Sequence, residues 1–281
     1  MMNERSSTVC VDDKKLSATY FEMIKRAAMP IGRKIVSCVE YIIFTVSIVL
    51  LWSGLETMGY INPITLPAPA TIAATTVSML KDGSLQQQLL ISIIRVLEGY
   101  FLACGLGIAL GIVIGLSKKM NKMLDLIIQI LRPIPPIGWI PLAILWFGIG
   151  ETSKVFIIFL GGFFVVLINV IDGIRQVDYK LIEVAKVLEI PRFRMIATLI
   201  IPAALPNIFT GMRVALAACW ACVVAAELVA SSSGIGYMIM NARQFSMSDV
   251  VIVGMLSIGV IGKCMDVALK QVERKITRYE G

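Results

Sequence analysis

The sequence predicts an all-α membrane protein with six transmembrane helices, both termini cytoplasmic, and a short cytoplasmic helix between the fourth and fifth spans. Three observations lead to this. First, 57% of the residues are hydrophobic and only 16% are charged, against roughly half and a quarter in a soluble domain. Second, long apolar runs recur along the 281 residues, which suits about six spans of ~20 residues each plus loops. Third, the basic residues sort by side. With both ends inside, nineteen Lys and Arg fall on inner segments and three (Lys81, Lys154, Arg243) on outer ones, the bias that fixes orientation in a bilayer. A net charge of +7 therefore belongs to cytoplasmic loops and to the lipid surface, not to nucleic acid.

Residues 1–34 are polar and basic (Arg5, Lys14, Lys15, Lys25, Arg26, Arg33, Lys34) and read as a cytoplasmic tail. Glu4, Asp12 and Asp13 interrupt the basic stretch, and the apolar run begins only near residue 35. That is not a cleavable signal peptide, so the first span, Ile35–Leu55, acts as an uncleaved anchor. A polar loop with Asn62-Pro63 and Pro67-Ala68-Pro69 follows, then a short helix near Ala70–Leu80 and a turn at Asp82-Gly83.

The second span is Leu89–Leu116. Gly107, Gly111 and Gly115 stand four apart with Gly105 beside them, a small-residue row that lets another helix backbone approach closely. The third span, Leu124–Phe147, contains Arg132-Pro133-Ile134-Pro135-Pro136 and Pro141. At ~1.5 Å per residue from the basic loop Lys118–Lys122, these prolines lie near mid-bilayer. Broken backbone at that depth must be buried in protein or line a watery cavity. The fourth span is Lys154–Ile174, the fifth Asn207–Ala230 and the sixth Val250–Leu269, so the membrane domain covers 35–269 and a basic tail covers 270–281.

Between spans four and five lies a charged island at 178–206. Leu181, Val184, Ala185 and Leu188 recur at helical spacing, with Lys180, Glu183 and Lys186 on the other side, so a short amphipathic helix is expected. Ile190 precedes a proline and is pushed out of the α region, which sets a turn at Glu189–Ile190. Pro191 then opens a second short helix that Pro202 and Pro206 interrupt.

Charges inside the spans are costly and draw attention as functional candidates. Lys263, Asp266 and Lys270 are spaced to pair with one another, and Arg95 and Glu98, three apart, suit a local pair. Arg213 sits about two turns from the cytoplasm and is able to reach it. Glu227 is placed to line an outer gate or cap a loop. Arg132 is deep, beside a helix break, with no acid within four residues; it either braces broken backbone carbonyls or faces an anionic solute. Arg132, Pro133, Pro135, Arg213 and Glu227 are thus the candidates for a translocation pathway.

The sequence contains no His, which excludes His-based acid–base catalysis, His-ligated metal sites and haem. Cys219 and Cys222 form a C-x-x-C within an apolar run, where small packing residues are the simpler reading. No catalytic group and no metal site is expected. A membrane-embedded enzyme would need a polar catalytic cluster, and an ion-coupled secondary transporter would need an acid relay or inverted repeats; neither pattern is present.

The island resembles the Glu-Ala-Ala loop of binding-protein-dependent ABC transporter permeases. That pattern is EAA, three residues, G, nine residues, I-x-L-P, and Glu183-Val184-Ala185, Glu189 and Leu199-Ile200-Ile201-Pro202 stand at its spacings. Glu189 departs from it, replacing the turn glycine; a non-Gly residue in a left-handed turn costs roughly 1–2 kcal/mol, so a turn of different shape is expected here. Val184 for Ala is a minor departure that adds bulk to the short helix. Leu66-Pro67-Ala68-Pro69, Ser92 through Tyr100, and Arg132 through Glu151 are similar to the nitrate/sulfonate/taurine branch, and Trp220 through Leu228 and Gly234 through Met238 to taurine and aliphatic-sulfonate permeases.

The resemblance implies a permease subunit in a bacterial plasma membrane that is not itself an enzyme and holds no cofactor, ATP being bound by a partner. The implied partners are a cytoplasmic ABC ATPase dimer, a second permease copy forming a homodimer, and an extracytoplasmic solute-binding protein. The island becomes the coupling loop, with Lys180, Glu183, Val184, Ala185, Lys186, Leu188, Glu189 and Arg192 meeting the ATPase. The chain itself has no Gly-x-x-x-x-Gly-Lys-Ser/Thr phosphate loop, so chemistry sits on another chain. The implied solute is taurine or an aliphatic sulfonate, with nitrate, bicarbonate or a vitamin precursor as the competing cargoes.

Overall fold

A computed structural model describes residues 43–277. The expected tail at 1–34 and the start of the first span lie outside the described residues. Among the described residues every regular element is helical. The chain divides into two units, one up to Pro63 and one from Ile64 onward. The described part of the first is the apolar helix α1 (Ile43–Thr57), which closes in a turn with Gly59 at φ 76°.

The second unit begins with α2 (Pro69–Lys81), its proline at the first turn where the missing N–H costs nothing. Asp82 then accepts from the backbone N–H (2.9 Å) and hydroxyl (2.7 Å) of Ser84, and both bonds hold its carboxyl below the usual carboxylate range. The long helix α3 (Ser84–Leu116) follows. After Ser117, α4 (Lys118–Leu131), a single 3₁₀ turn (Pro136–Trp139) and α5 (Ile140–Phe147) make one bent pair. Its two limbs are bent by 86°, as the cluster Pro133, Pro135 and Pro136 predicts.

Next come α6 (Glu151–Arg175) and α7 (Tyr179–Val187), then α8 (Arg192–Met195), which passes through a π turn (Ile196–Ile200) into α9 (Ile201–Ala230). Pro202 and Pro206 therefore do not end this helix; Arg192–Ala230 runs as one 39-residue apolar rod. The π turn immediately ahead of Pro202 is where the hydrogen-bond register shifts to absorb the missing donor. Two further helices, α10 (Ile235–Gln244) and α11 (Ser248–Thr277), complete the unit. α11 carries helix through Lys270, Arg274 and Lys275, residues of the basic tail expected at 270–281.

Among the described residues four helices are long and apolar enough to cross a membrane, or five if the bent pair counts as one passage. The core is built from α3, α6 and α9, with Val96, Ile158, Val166, Val170, Ala215 and Val223 fully or almost fully buried. Glycines set the spacing. A methyl group at Gly107 would lie 3.0 Å from Val166, at Gly111 2.7 Å from Val170, and at Gly115 2.9 Å from Ile174. The constant offset along these pairs means that α3 and α6 run parallel, which is why the intervening α4–α5 passage must return across the unit. Gly105, expected in the same row, instead meets open space.

Between α6 and α9 the seams are antiparallel: Gly161 faces Cys222, Gly162 faces Cys219, and Gly173 faces Asn207. Cys219 and Cys222 are free and buried, filling the space opposite those glycines, and Cys219 donates weakly to the Ile158 carbonyl at 3.4 Å. The C-x-x-C is a packing feature, as expected.

Candidate functional site

The helix directions put two polar features at opposite ends of the α3–α6–α9 core: α7 at one end and a buried ionic cluster at the other.

Asp178 caps α7 by accepting from the Lys180 N–H at 2.9 Å, which satisfies one of the helix's orphan donors. Only Ala185 of α7 is buried. Tyr179, Leu181, Val184, Val187 and Leu188 are exposed, and so are Lys180, Glu183, Lys186, Glu189 and Arg192. Lys186 Nζ lies 5.6 Å from the centre of the Tyr179 ring, within cation–π range. The apolar stripe expected on one side of α7 is therefore presented outward, with Ala185 turned inward as the exception. The helix closes with Glu189 N–H bonded to Lys186 O and Ile190 N–H to Ala185 O, both at 3.0 Å. These are the paired bonds of a Schellman motif, and Glu189 occupies its left-handed position at φ 53°. The turn thus has the shape a glycine would give, and the different shape expected from the substitution is not found.

The cluster at the far end is built on Arg95 of α3, which is 3% exposed. Its Nε and Nη2 grip Glu151 of α6 at 2.5 and 2.7 Å, and its Nη1 donates to Glu227 of α9 at 2.8 Å. The remaining donors reach Ser233, Nη1 to its carbonyl at 2.8 Å and Nη2 to its hydroxyl at 3.0 Å. All five guanidinium N–H groups are used. Lys154 Nζ adds a bond of 2.9 Å to Glu151. The local Arg95–Glu98 pair expected from sequence is not formed; Arg95 is buried, while Glu98 is on the exposed side of α3.

Glu227 is 1% exposed and caps α10. The Gly236 N–H donates to its carboxylate at 2.8 Å, the Ile235 N–H to Ser92 Oγ at 2.9 Å, and the Gly234 N–H to Gln88 Oε1 at 2.6 Å. Ser92 Oγ in turn donates to Glu227 at 2.7 Å. Three orphan amides of a helix start thereby meet side-chain oxygens, one of them anionic, as the helix dipole favours. Gly234 sits at φ 103° and a methyl group there would fall 2.3 Å from the Glu227 carboxylate, so no other residue fits. Sequence reasoning missed α10 because its register is set by this cap, not by apolar period; the Gly234-Ile235-Gly236 run after Glu227 was the available signal.

Arg213 of α9 pairs with Asp266 of α11 at 2.8 Å and approaches Glu273 at 3.8 Å, beside a cavity of about 230 Å³ that includes Trp220 and Gly262. Lys263 also reaches Asp266, at 3.5 Å. Arg213 is thus neutralised by a neighbouring helix, where a simple reach to the cytoplasm was expected. Arg132 differs from all of these. It forms the C-terminal cap of α4, and among the described residues its guanidinium has no ion-pair or hydrogen-bond partner. It lines a cavity of about 360 Å³ with Pro136, Gly161, Val165, Asn169 and Val214. Pro133 and Pro135 are exposed at the same elbow. Among the described residues the side chain bonds to no freed carbonyl.

Residues 107–278 match the model of the binding-protein-dependent transport system inner membrane component family, which covers more than half of the chain. The chain belongs to this family. This permease is 43% identical over 254 residues to the putative aliphatic sulfonates transport permease protein SsuC of Bacillus subtilis, covering 89% of this chain and 92% of the relative. It is 35% identical to the taurine transport system permease protein TauC of Escherichia coli, over 82% of this chain and 86% of the relative. The bicarbonate transport system permease protein CmpB of Synechococcus elongatus is 36% identical, over 70% and 71% of the two chains. Among solved structures, an inward-facing form of the MetNI methionine ABC transporter matches with a TM-score of 0.59 at 15% identity, over 66% of this chain and 93% of that one; this likeness bears on fold alone. The permease is accordingly a multi-pass inner-membrane protein of the ABC importer class, in the nitrate/sulfonate/taurine group.

Proposed function

We propose that this chain forms the transmembrane pathway of an importer for a small anionic solute, taurine or an aliphatic sulfonate, driven by a separate ATPase. The observation that carries the anionic class is Arg132: a mid-passage cation with no partner among the described residues, at the rim of a cavity lined by apolar groups and one amide. A sulfonate supplies the charge and the oxygen fork that a guanidinium prefers. The names of the SsuC and TauC relatives support the same class.

In this reading six spans cross the bilayer with both termini cytoplasmic, the membrane domain being 35–269 and the tails 1–34 and 270–281. The loop at 178–206 faces the cytoplasm, and the exposed stripe of Leu181, Val184 and Leu188 lies in a groove of the ATPase, a helix-in-groove contact. A second copy of the permease completes the pathway, and an extracytoplasmic binding protein delivers the solute.

The test is uptake by the complete transporter, reconstituted with its ATPase and binding protein, of taurine, ethanesulfonate, nitrate and bicarbonate. ATP-dependent uptake of the two sulfonates is expected. Uptake of bicarbonate without sulfonate would move the permease to the cargo named for the CmpB relative.

A further inference from the structure

We propose that the Glu151 carboxylate is an internal stand-in for a solute's anionic head group. Arg95 Nε and Nη2 with Lys154 Nζ then form a sulfonate site that opens when Glu151 withdraws. This rests on the anion-import reading above.

Exposure separates the fixed members of the cluster from the exchangeable one. Arg95, Lys154 and Glu227 are 3%, 6% and 1% exposed, whereas the Glu151 side chain is 62% exposed although both its oxygens are bonded. A structural carboxylate in a buried cluster has no need to stand in water. The fork it fills, two guanidinium donors at 2.5 and 2.7 Å and an ammonium at 2.9 Å, is the donor set that binds any planar or tetrahedral oxyanion edge.

Loss of Glu151 does not release Arg95. Its three other bonds, to Glu227, the Ser233 carbonyl and the Ser233 hydroxyl, keep the guanidinium in place. The charges also balance. With Glu151 seated, two cations face two carboxylates and the cluster is neutral; with Glu151 withdrawn it carries one positive charge, which a sulfonate head group restores to zero. Glu151 begins α6 directly after Gly148-Ile149-Gly150, where Gly148 lies at φ 75° and neither glycine has a neighbour within reach of an added methyl. The Gly150 carbonyl accepts from Ser153 Oγ at 3.0 Å, so withdrawal is a rotation of the exposed Glu151 side chain, and the amides at the start of the 25-residue α6 favour whichever anion occupies the fork.

The experiment measures equilibrium binding of radiolabelled taurine to the assembled permease–ATPase complex in nanodiscs, with the binding protein omitted and unlabelled ethanesulfonate as competitor. Glu151→Gln is expected to bind taurine about tenfold more tightly than wild type, the loss of one charge-assisted competitor. Glu151→Asp, which keeps the charge but shortens the reach, gains less in the same direction and serves if the Gln variant fails to assemble. Adding Lys154→Gln to either variant removes the gain, and Lys154→Arg keeps it. Affinity unchanged in both Glu151 variants, or a gain that survives Lys154→Gln, overturns the assignment. Wild-type sulfonate uptake, measured beside it, separates the two levels: uptake with unaltered binding in the variants sinks this site alone, while no sulfonate uptake sinks the import reading and this site with it.

Discussion

Arg95 Nη1 and Glu227 Oε1 meet at 2.8 Å, with side chains that are 3% and 0% exposed. Removing Glu227 leaves the buried Arg95 Nη1 and the Gly236 amide without their anionic acceptor, a broken buried pair that costs about 3–5 kcal/mol. Glu227→Ala is therefore expected to lower the stability of the detergent-solubilised permease by that amount in a denaturation titration. Arg95→Ala in the same background should recover part of the loss. Wild-type stability in Glu227→Ala would show that the pair is not buried in the assembled protein.

The glycine seam gives a contrast within one helix. A side chain at Gly111 collides with Val170 and the Leu167 carbonyl, while one at Gly105 meets nothing within 4 Å. Gly111→Leu should cost at least the ~1–3 kcal/mol of an overpacked core, and Gly105→Leu should be close to neutral. Equal thermal shifts for the two variants would contradict the parallel packing of α3 on α6.

Glu189 occupies the left-handed position of a Schellman turn. Glycine there avoids a steric cost of roughly 1–2 kcal/mol and loses about 0.5–1 kcal/mol through the unfolded chain. Glu189→Gly should thus raise stability by about 1 kcal/mol or less, read as a small increase in melting temperature. A decrease would mean that the Glu189 side chain makes a contact worth more than its strain.

Glu183 is exposed on α7, beside the outward apolar stripe. Glu183→Lys is predicted to abolish solute-stimulated ATP hydrolysis and uptake while the permease still inserts and binds lipid normally. Unaltered uptake in that variant would remove Glu183 from the contact with the ATPase.

Among the described residues Arg132 has no structural partner to lose. Arg132→Gln is expected to leave the melting temperature within about 1 °C of wild type, since surface changes away from specific contacts are usually near neutral. Sulfonate uptake should fall at least tenfold, the effect of losing a charged donor to an anion. A destabilised protein with normal uptake would make Arg132 a structural residue and remove it from the pathway.

Much of this was legible in the sequence because it is written in local pattern. The glycine spacing of 107, 111 and 115, the proline break after Arg132, and the amphipathic period of α7 each act within a few residues, and each is found. What was not legible depends on partners far apart in the chain. Arg95 pairs with Glu151 and Glu227, not with nearby Glu98, because helix packing brings α6 and α9 against the buried side of α3. The helix α10 is too short to announce itself by period, and its start is fixed by Gln88, Ser92 and Glu227. Pro202 looked like a stop because the register shift that accommodates it belongs to the preceding turn.

That accommodation has a mechanical consequence. The 39 residues from Arg192 to Ala230 form one strut about 60 Å long at ~1.5 Å per residue. One end follows α7 across the Glu189–Ile190 turn and the other carries Glu227. A displacement at α7 therefore crosses the Glu189–Ile190 turn, the π turn and the Pro206 position, and arrives at Glu227, which shares Arg95 with Glu151.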